Sequence, residues 1–119
     1  MSLESLDEAL EPVPKGTTIV QTKKFEKDFR KLGLNDDDLI DLEESIMTYP
    51  PEASLGSGVY KFRWSPKRWG QGQSNGARLI YIYLLRNQRV YLMKIYRHNQ
   101  QDNLSEKELE VFRDSAKLL

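Results

Sequence analysis

The chain has 119 residues, enough for one domain, and its 18 basic residues balance its 18 acidic ones. It contains no cysteine and one histidine, which excludes disulfides, cysteine-ligated metals, thiol catalysis and a two-histidine nuclease mechanism. The lack of cysteine fits a reducing cytoplasm, and no apolar run approaches the roughly 20 residues needed to span a membrane.

The charges are distributed unevenly along the chain. Residues 53–101 carry nine basic residues and no acidic one, whereas residues 1–14 carry four acidic residues and no basic one. A basic module between acidic segments indicates an anionic partner for the basic part. We expect the acids to lie on helices and on the tail, away from the basic surface. The simpler alternative is that the cations only protect solvated strand edges from aggregation.

Residues 1–14 form the first predicted segment, an acidic N-terminal extension that we expect to be flexible. The leucines in this segment have roughly helical spacing, but Pro12 and Pro14 end any helix. The domain itself is expected to occupy residues 15–119.

The first half of that domain predicts one strand and two helices. Residues 17–22 are rich in β-branched side chains and predict a short strand. Thr22 can cap a helix that Gly33 ends, and a second helix begins at Asn35. Three aspartates follow Asn35 in the first turn, where the helix dipole favours negative charge. A metal site is the weaker alternative, because consecutive helix positions do not point at one centre.

The second half predicts three strands and a final helix, over residues 59–65, 77–85, 90–96 and 104–119. In the first of these strands the aromatic residues alternate with Lys61 and Arg63, which places both cations on the face opposite the core. Ser105 and Glu108 predict a capping box at the start of the last helix. The order β-α-α-β-β-β-α predicts an α+β domain with an antiparallel sheet and helices packed mainly on one face. The other face would be partly open, and it would carry Lys61, Arg63 and Arg78.

A resemblance to a known family lies in two stretches, GSGVYKFRWSPKRWGQGQSNGARLIYIYL and VYLMKIYRHNQQDNLSEKEL. They resemble the RelE superfamily of toxin–antitoxin systems, and within it the HigB-type branch. The shared pattern is a Gly-rich turn, a strand reading roughly K-x-R-W, a basic glycine loop, and then an arginine that opens the next strand. The resemblance covers about residues 17–119 and implies the RelE-like toxin fold.

The resemblance also implies a function. It implies a small cytoplasmic toxin that enters the ribosomal A site and cuts messenger RNA there, as a metal-independent endoribonuclease without a cofactor. Its partners would be messenger RNA on the ribosome, with contacts to ribosomal RNA, and a cognate antitoxin, typically a helix-turn-helix protein in this branch. No membrane partner is implied.

The family's site residues match four positions of this chain. The strand cations match Lys61 and Arg63, the arginine that opens the next strand matches Arg78, and the basic residue after the third strand matches His98. One branch of the family also uses a tyrosine in its last segment as a proton shuttle. No tyrosine follows Tyr96 here, so the resemblance leaves the proton-transfer groups open.

The chemistry of metal-free RNA cleavage suits these residues. The 2′-OH is the nucleophile, and the enzyme supplies a base, cations around the phosphorane and an acid for the leaving 5′ oxygen. Arg78 is the candidate for the phosphorane, because a guanidinium can bind two phosphate oxygens, with Lys61 and Arg63 beside it. His98 is a candidate acid or base, and Lys61 is the rival base. The structural alternatives are that Arg78 pairs with an acidic residue of the helices, that Lys61 and Arg63 are merely solvated, and that His98 is an ordinary surface histidine.

The glycine-rich loop supplies candidates for RNA binding, namely Lys67, Arg68 and Trp69, with Arg97 from the last strand. The Trp69 ring could stack on a base, for roughly 1–3 kcal/mol, or dock back onto the domain. Two interpretations without catalysis stay open. One is an RNA- or ribosome-binding module, and the other is an interaction domain whose basic face binds an acidic protein.

Overall fold

The computed structural model describes residues 10–70, 76–98 and 104–119, and these contain a five-stranded sheet and three α-helices. The elements are, in chain order, β1 (Thr18–Gln21), α1 (Lys23–Lys31), α2 (Asp36–Thr48), β2 (Ala53–Gly56), β3 (Val59–Trp64), β4 (Ala77–Leu84), β5 (Arg89–Arg97) and α3 (Glu106–Leu118). In this part of the chain no helix has the length and apolar character needed to cross a bilayer.

The strands lie in the order β1-β5-β4-β3-β2 across the sheet. β1 runs parallel to β5, and the other neighbouring strands are antiparallel. The predicted α+β class is confirmed, but the sheet is mixed rather than purely antiparallel. The expectation fails at β1 because this strand joins β5 from a distant part of the chain, so no hairpin fixes its direction.

The strand β2 was not predicted from the sequence. It forms a hairpin with β3 through Ser57 and Gly58, whose φ angles are 57° and 85°. A Cβ on Gly58 would lie 2.7 Å from Leu84 Cδ2, so glycine is required there for space as well as for backbone conformation. The sequence signal for β2 is weak, because the strand has only four residues and Leu55 is its single large apolar residue.

The first two helices begin at the residues that their sequences predict. Thr22 Oγ1 accepts a hydrogen bond from the Phe25 N–H at 3.3 Å and caps α1. Asn35 caps α2 in a capping box, in which its own N–H donates to Asp38 Oδ2 at 2.8 Å. These contacts satisfy backbone donors that the first turn of a helix leaves without partners.

The sheet carries an apolar layer on each face. On one face α1 and α2 bury Phe25, Leu42 and Tyr81, which belong to the larger of the two core clusters. On the opposite face α3 packs Phe112 and Ala116 on the aliphatic side chains of β3 and β4. Two of the three helices therefore share one face, as predicted, and the third covers part of the other.

Residues 10–14 pack against the domain. Val13 is only 2% exposed, and its N–H donates to the Ile46 carbonyl of α2 at 3.1 Å. This end of the predicted flexible extension is thus attached to the core. Residues 1–9 lie outside the described residues, and the boundary at residue 14 stays a prediction.

The docking of α3 on the sheet gives a first testable prediction. Phe112 is 6% exposed, so Phe112→Ala should lower the free energy of unfolding by about 3 kcal/mol, because it removes a buried aromatic ring and leaves a cavity. The adjacent Val111 is 55% exposed, and Val111→Ala should cost about 0.5 kcal/mol or less. Urea denaturation measures both values, and equal costs would contradict the docking.

Candidate functional site

Lys61 and Arg78 converge on the carboxylate of Glu52. Arg78 Nε lies 3.1 Å from Glu52 Oε1, and Lys61 Nζ lies 3.4 Å from Glu52 Oε2. Lys61 pairs in register with Ile80, two positions after Arg78 on β4, so both cations project from the face of the sheet that carries α3. The two side chains therefore hold the two oxygens of a single anion.

Sequence reasoning missed Glu52. It lies directly before β2, and its N–H donates to the Lys61 carbonyl at 2.7 Å, which fixes it beside β3. Arg78 is only 7% exposed, and a cation so deeply buried requires a charged partner. Of the two sequence-based alternatives for Arg78, pairing with an acid is therefore observed, although the acid comes from a loop and not from a helix. The pairing leaves open whether Arg78 also binds phosphate.

Arg63 is the third predicted strand cation. It lies opposite Arg78 in the register of β3 and β4, and its side chain is exposed. It also lines a cavity of about 440 Å³ between α2 and β3, whose acidic residues are Asp41 and Glu44. Lys61, Arg63 and Arg78 thus occupy neighbouring positions of two paired strands.

The loop cations contact acids of α2. Arg68 Nε lies 2.7 Å from Asp38 Oδ2, and Lys67 Nζ lies 3.6 Å from Asp41 Oδ1. The Trp64 Nε1–H also donates to Asp41 Oδ2, at 3.1 Å. The expectation that acids lie away from the basic surface is therefore wrong. Residues 53–101 contain no acidic residue, but the fold places the aspartates of α2 and Glu52 in contact with the cations of this segment.

Trp69 docks back onto the domain. It packs against the larger core cluster, and the Arg97 guanidinium lies 3.6 Å from the centroid of its ring. A cation at this distance from an indole face is attracted by the ring's electrons. One face of the Trp69 ring is therefore in contact with Arg97, which favours the docked alternative over a ring that is free to stack on a base.

β5 places Lys94 and Tyr96 on the face of the sheet that carries Lys61 and Arg78. Lys94 Nζ lies 2.5 Å from Glu108 Oε2 of α3 and 5.4 Å from the centroid of the Tyr96 ring. Tyr96 is the register partner of Arg78. Burial raises the pKa of the Tyr96 hydroxyl, while the nearby Arg78 acts in the opposite direction.

His98 lies at the end of β5, where its N–H donates to the Gly76 carbonyl at 3.0 Å. Its Nδ1 atom is buried, and among the described residues it has no hydrogen-bond partner. His98 is therefore held next to the start of β4, two residues from Arg78, and its ring is not simply solvated.

The predicted capping box of α3 forms only in part. Ser105 Oγ accepts a hydrogen bond from the Glu108 N–H at 3.1 Å, as predicted. The Glu108 carboxylate accepts a charge-assisted hydrogen bond from Lys94 Nζ on the sheet. The alternative metal site at the aspartates of α2 also finds no support, since the structured ranges contain no group of three or more potential ligands placed to hold an ion.

A comparison with protein families identifies the class of this protein. The model of the RelE toxin of the RelE/RelB toxin–antitoxin system matches residues 17–119. The chain therefore belongs to the RelE toxin family, which confirms the resemblance of the sequence. Its place in the HigB-type branch stays a prediction.

One solved structure shows a similar fold, and a second is similar to the chain at a lower score. A conserved hypothetical protein from Helicobacter pylori, solved in solution, has 19% identity and a TM-score of 0.50, over 70% of this chain and 96% of that one. The isolated E. coli RelE toxin has 16% identity and a TM-score of 0.49, over 83% of this chain and 98% of that one. At such identity the first likeness concerns the fold alone. No curated protein matches the sequence.

The dual role of Asp38 gives a second prediction. Asp38→Ala removes both the cap on the Asn35 N–H and the ion pair with Arg68, and should lower the free energy of unfolding by about 1–2 kcal/mol. The exposed neighbour Asp37 serves as the control, and Asp37→Ala should cost about 0.5 kcal/mol or less. Urea titrations of both variants test this, and a larger loss for Asp37→Ala would refute the assignment.

Proposed function

We propose that this RelE-family chain inhibits translation by cutting messenger RNA in the ribosomal A site, as a metal-independent endoribonuclease. The proposal rests above all on the shared contact of Lys61 and Arg78 with the two oxygens of Glu52. An RNA phosphate likewise presents two non-bridging oxygens and one negative charge. Two cations that already converge on a carboxylate can therefore hold a phosphodiester in its place.

The cations would act on the phosphorane. Arg78 offers several N–H donors in a fixed plane, and the paired strands β3 and β4 hold it in position. Lys61 adds a second positive charge, and the exposed Arg63 lies where the flanking RNA backbone would pass. Charge that is fixed before the reaction lowers the barrier, because it requires no rearrangement when the phosphorane forms.

Glu52 is a better candidate for the base than Lys61. It is the carboxylate in contact with both cations, and its side chain is one-third exposed. An incoming phosphate would displace Glu52 from the cations and leave it adjacent, where it can accept the proton of the 2′-OH. His98, held near Arg78 by the Gly76 contact, is the candidate acid for the leaving 5′ oxygen.

The loop residues would guide the RNA rather than react with it. The Lys67 side chain is 86% exposed and that of Arg68 is 42% exposed, so both can contact the backbone despite their ion pairs. Trp69 and Arg97 would form one stacked edge of this surface. The proposed partners are messenger RNA on the ribosome, ribosomal RNA and a cognate antitoxin of the helix-turn-helix type, and the proposed location is the cytoplasm.

Arg78→Ala tests the phosphate site. We expect A-site cleavage on ribosomes with a defined message to fall by about 100–1,000-fold, the usual cost of losing one such stabiliser. Arg86→Ala is the control, since Arg86 lies on the exposed turn after β4 and contacts the Leu119 carbonyl. Primer extension maps the new 5′ ends, and circular dichroism checks that both variants fold.

The same assay, applied to the wild-type protein, tests whether it cleaves messenger RNA at all. Cuts at A-site codons that need ribosomes would support the proposal. Intact message, with the protein still sedimenting on ribosomes at low salt, would favour the non-catalytic binder. Intact message without sedimentation would favour a domain that binds an acidic protein.

Glu52→Gln tests the base, because it keeps the size of the side chain and removes its charge. If Glu52 accepts the proton, the single-turnover cleavage rate should fall by about 100-fold or more. The affinity for ribosomes should stay equal or rise, because a negative charge leaves the site. A variant that cuts at the wild-type rate would return the role of base to Lys61 or His98.

A further inference from the structure

Tyr96 lies beside the proposed phosphate site, on the strand next to Arg78. The two residues are register partners across β4 and β5, and the Tyr96 side chain projects from the same face. Its hydroxyl is near enough to Arg78, Glu52 and Glu108 for all three to influence its pKa. Tyr96 is only 6% exposed, so its side chain is largely shielded from water.

The Tyr96 hydroxyl is buried, and among the described residues it has no hydrogen-bond partner. Burying a hydroxyl without a partner is unfavourable, because the hydrogen bonds to water are lost and not replaced. A phenylalanine would fill the same space in the core cluster of α3 without this cost. Packing therefore does not explain the hydroxyl.

The aromatic ring is held in place from the α3 side. Lys94 lies over the ring at 5.4 Å, and Glu108 of α3 binds Lys94. The hydroxyl is therefore positioned before any RNA binds, as a donor that acts on a transition state must be. Burial raises the pKa of this hydroxyl, so it keeps its proton at neutral pH and can serve as a donor but not as a base.

We infer that the Tyr96 hydroxyl donates a hydrogen bond to a non-bridging oxygen of the RNA phosphate held by Lys61 and Arg78. No proton is transferred in this role, and no bond of Tyr96 is made or broken. The hydroxyl gains its partner only when the phosphate is bound, and the bond strengthens as negative charge accumulates on the phosphorane. This inference rests on the proposed function, and it adds to the site a residue to which the family resemblance assigned no role.

Tyr96→Phe tests the inference, with Tyr91→Phe as the control, since Tyr91 lies on the same strand and packs against the same core cluster. Tyr96→Phe should lower the single-turnover cleavage rate on ribosomes by about 100-fold and weaken the affinity for ribosomes by several-fold at most, because the hydrogen bond is strongest in the transition state. Its melting temperature should be equal to or above that of the wild type, because a buried hydroxyl without a partner is removed. Tyr91→Phe should cut at the wild-type rate.

Two results would overturn the inference. One is an undiminished cleavage rate in Tyr96→Phe. The other is a lowered melting temperature, because it would show that the hydroxyl already has a partner within the folded chain.

A wild-type protein that cuts nothing would refute the proposed function, and the donor role would then be judged by binding alone. The probe is a 2′-O-methyl RNA oligomer, which cannot be cleaved. Several-fold weaker binding by Tyr96→Phe than by Tyr91→Phe would support the hydrogen bond to phosphate, and equal binding would overturn it.

Discussion

Arg78 is a cation with only 7% of its surface exposed, and it is tolerated there because Glu52 binds it. Removing a charge from water costs several kcal/mol unless an opposite charge lies in contact, as is generally found for buried ions. Glu52 can make that contact only because β2 pairs with β3 through a tight turn at Ser57 and Gly58. The hairpin, although short and half exposed, is therefore a structural condition for burying the central arginine of the site.

The two faces of the sheet differ in what they carry: one carries the larger core cluster and the other carries the candidate site. One face is covered by α1 and α2, and buries aromatic side chains such as Phe62 and Tyr81. The other is apolar where α3 packs and charged beyond it, and the Lys94–Glu108 pair joins α3 to the charged part. Alternation along β3 and β4 makes this separation possible, since Lys61 and Arg78 alternate with Phe62 and Leu79, which belong to the core cluster on the opposite face.

Local patterns in the sequence predicted the helix starts at Thr22 and Asn35, and the common face of Lys61 and Arg78. Those features depend on neighbours within a few residues, through capping and alternation. The partners of the cations were missed because they come from distant positions, as with Arg68 and Asp38, which are 30 residues apart. The parallel pairing of β1 was missed for the same reason, since neither turn chemistry nor periodicity specifies which distant strand it joins.

The pairing of the cations with internal carboxylates has a consequence for how an anion is attracted. Free cations draw in nucleic acid mainly by releasing condensed counterions, which makes binding steeply dependent on salt. At Lys61 and Arg78 an incoming phosphate would exchange with a carboxylate of the same molecule, so fewer salt ions are released there than two cations would suggest. The long-range electrostatic attraction of RNA free in solution would be correspondingly weak. Under the proposed function, selectivity would then depend on a close fit, which a ribosomal cleft offers and a flexible strand of RNA does not.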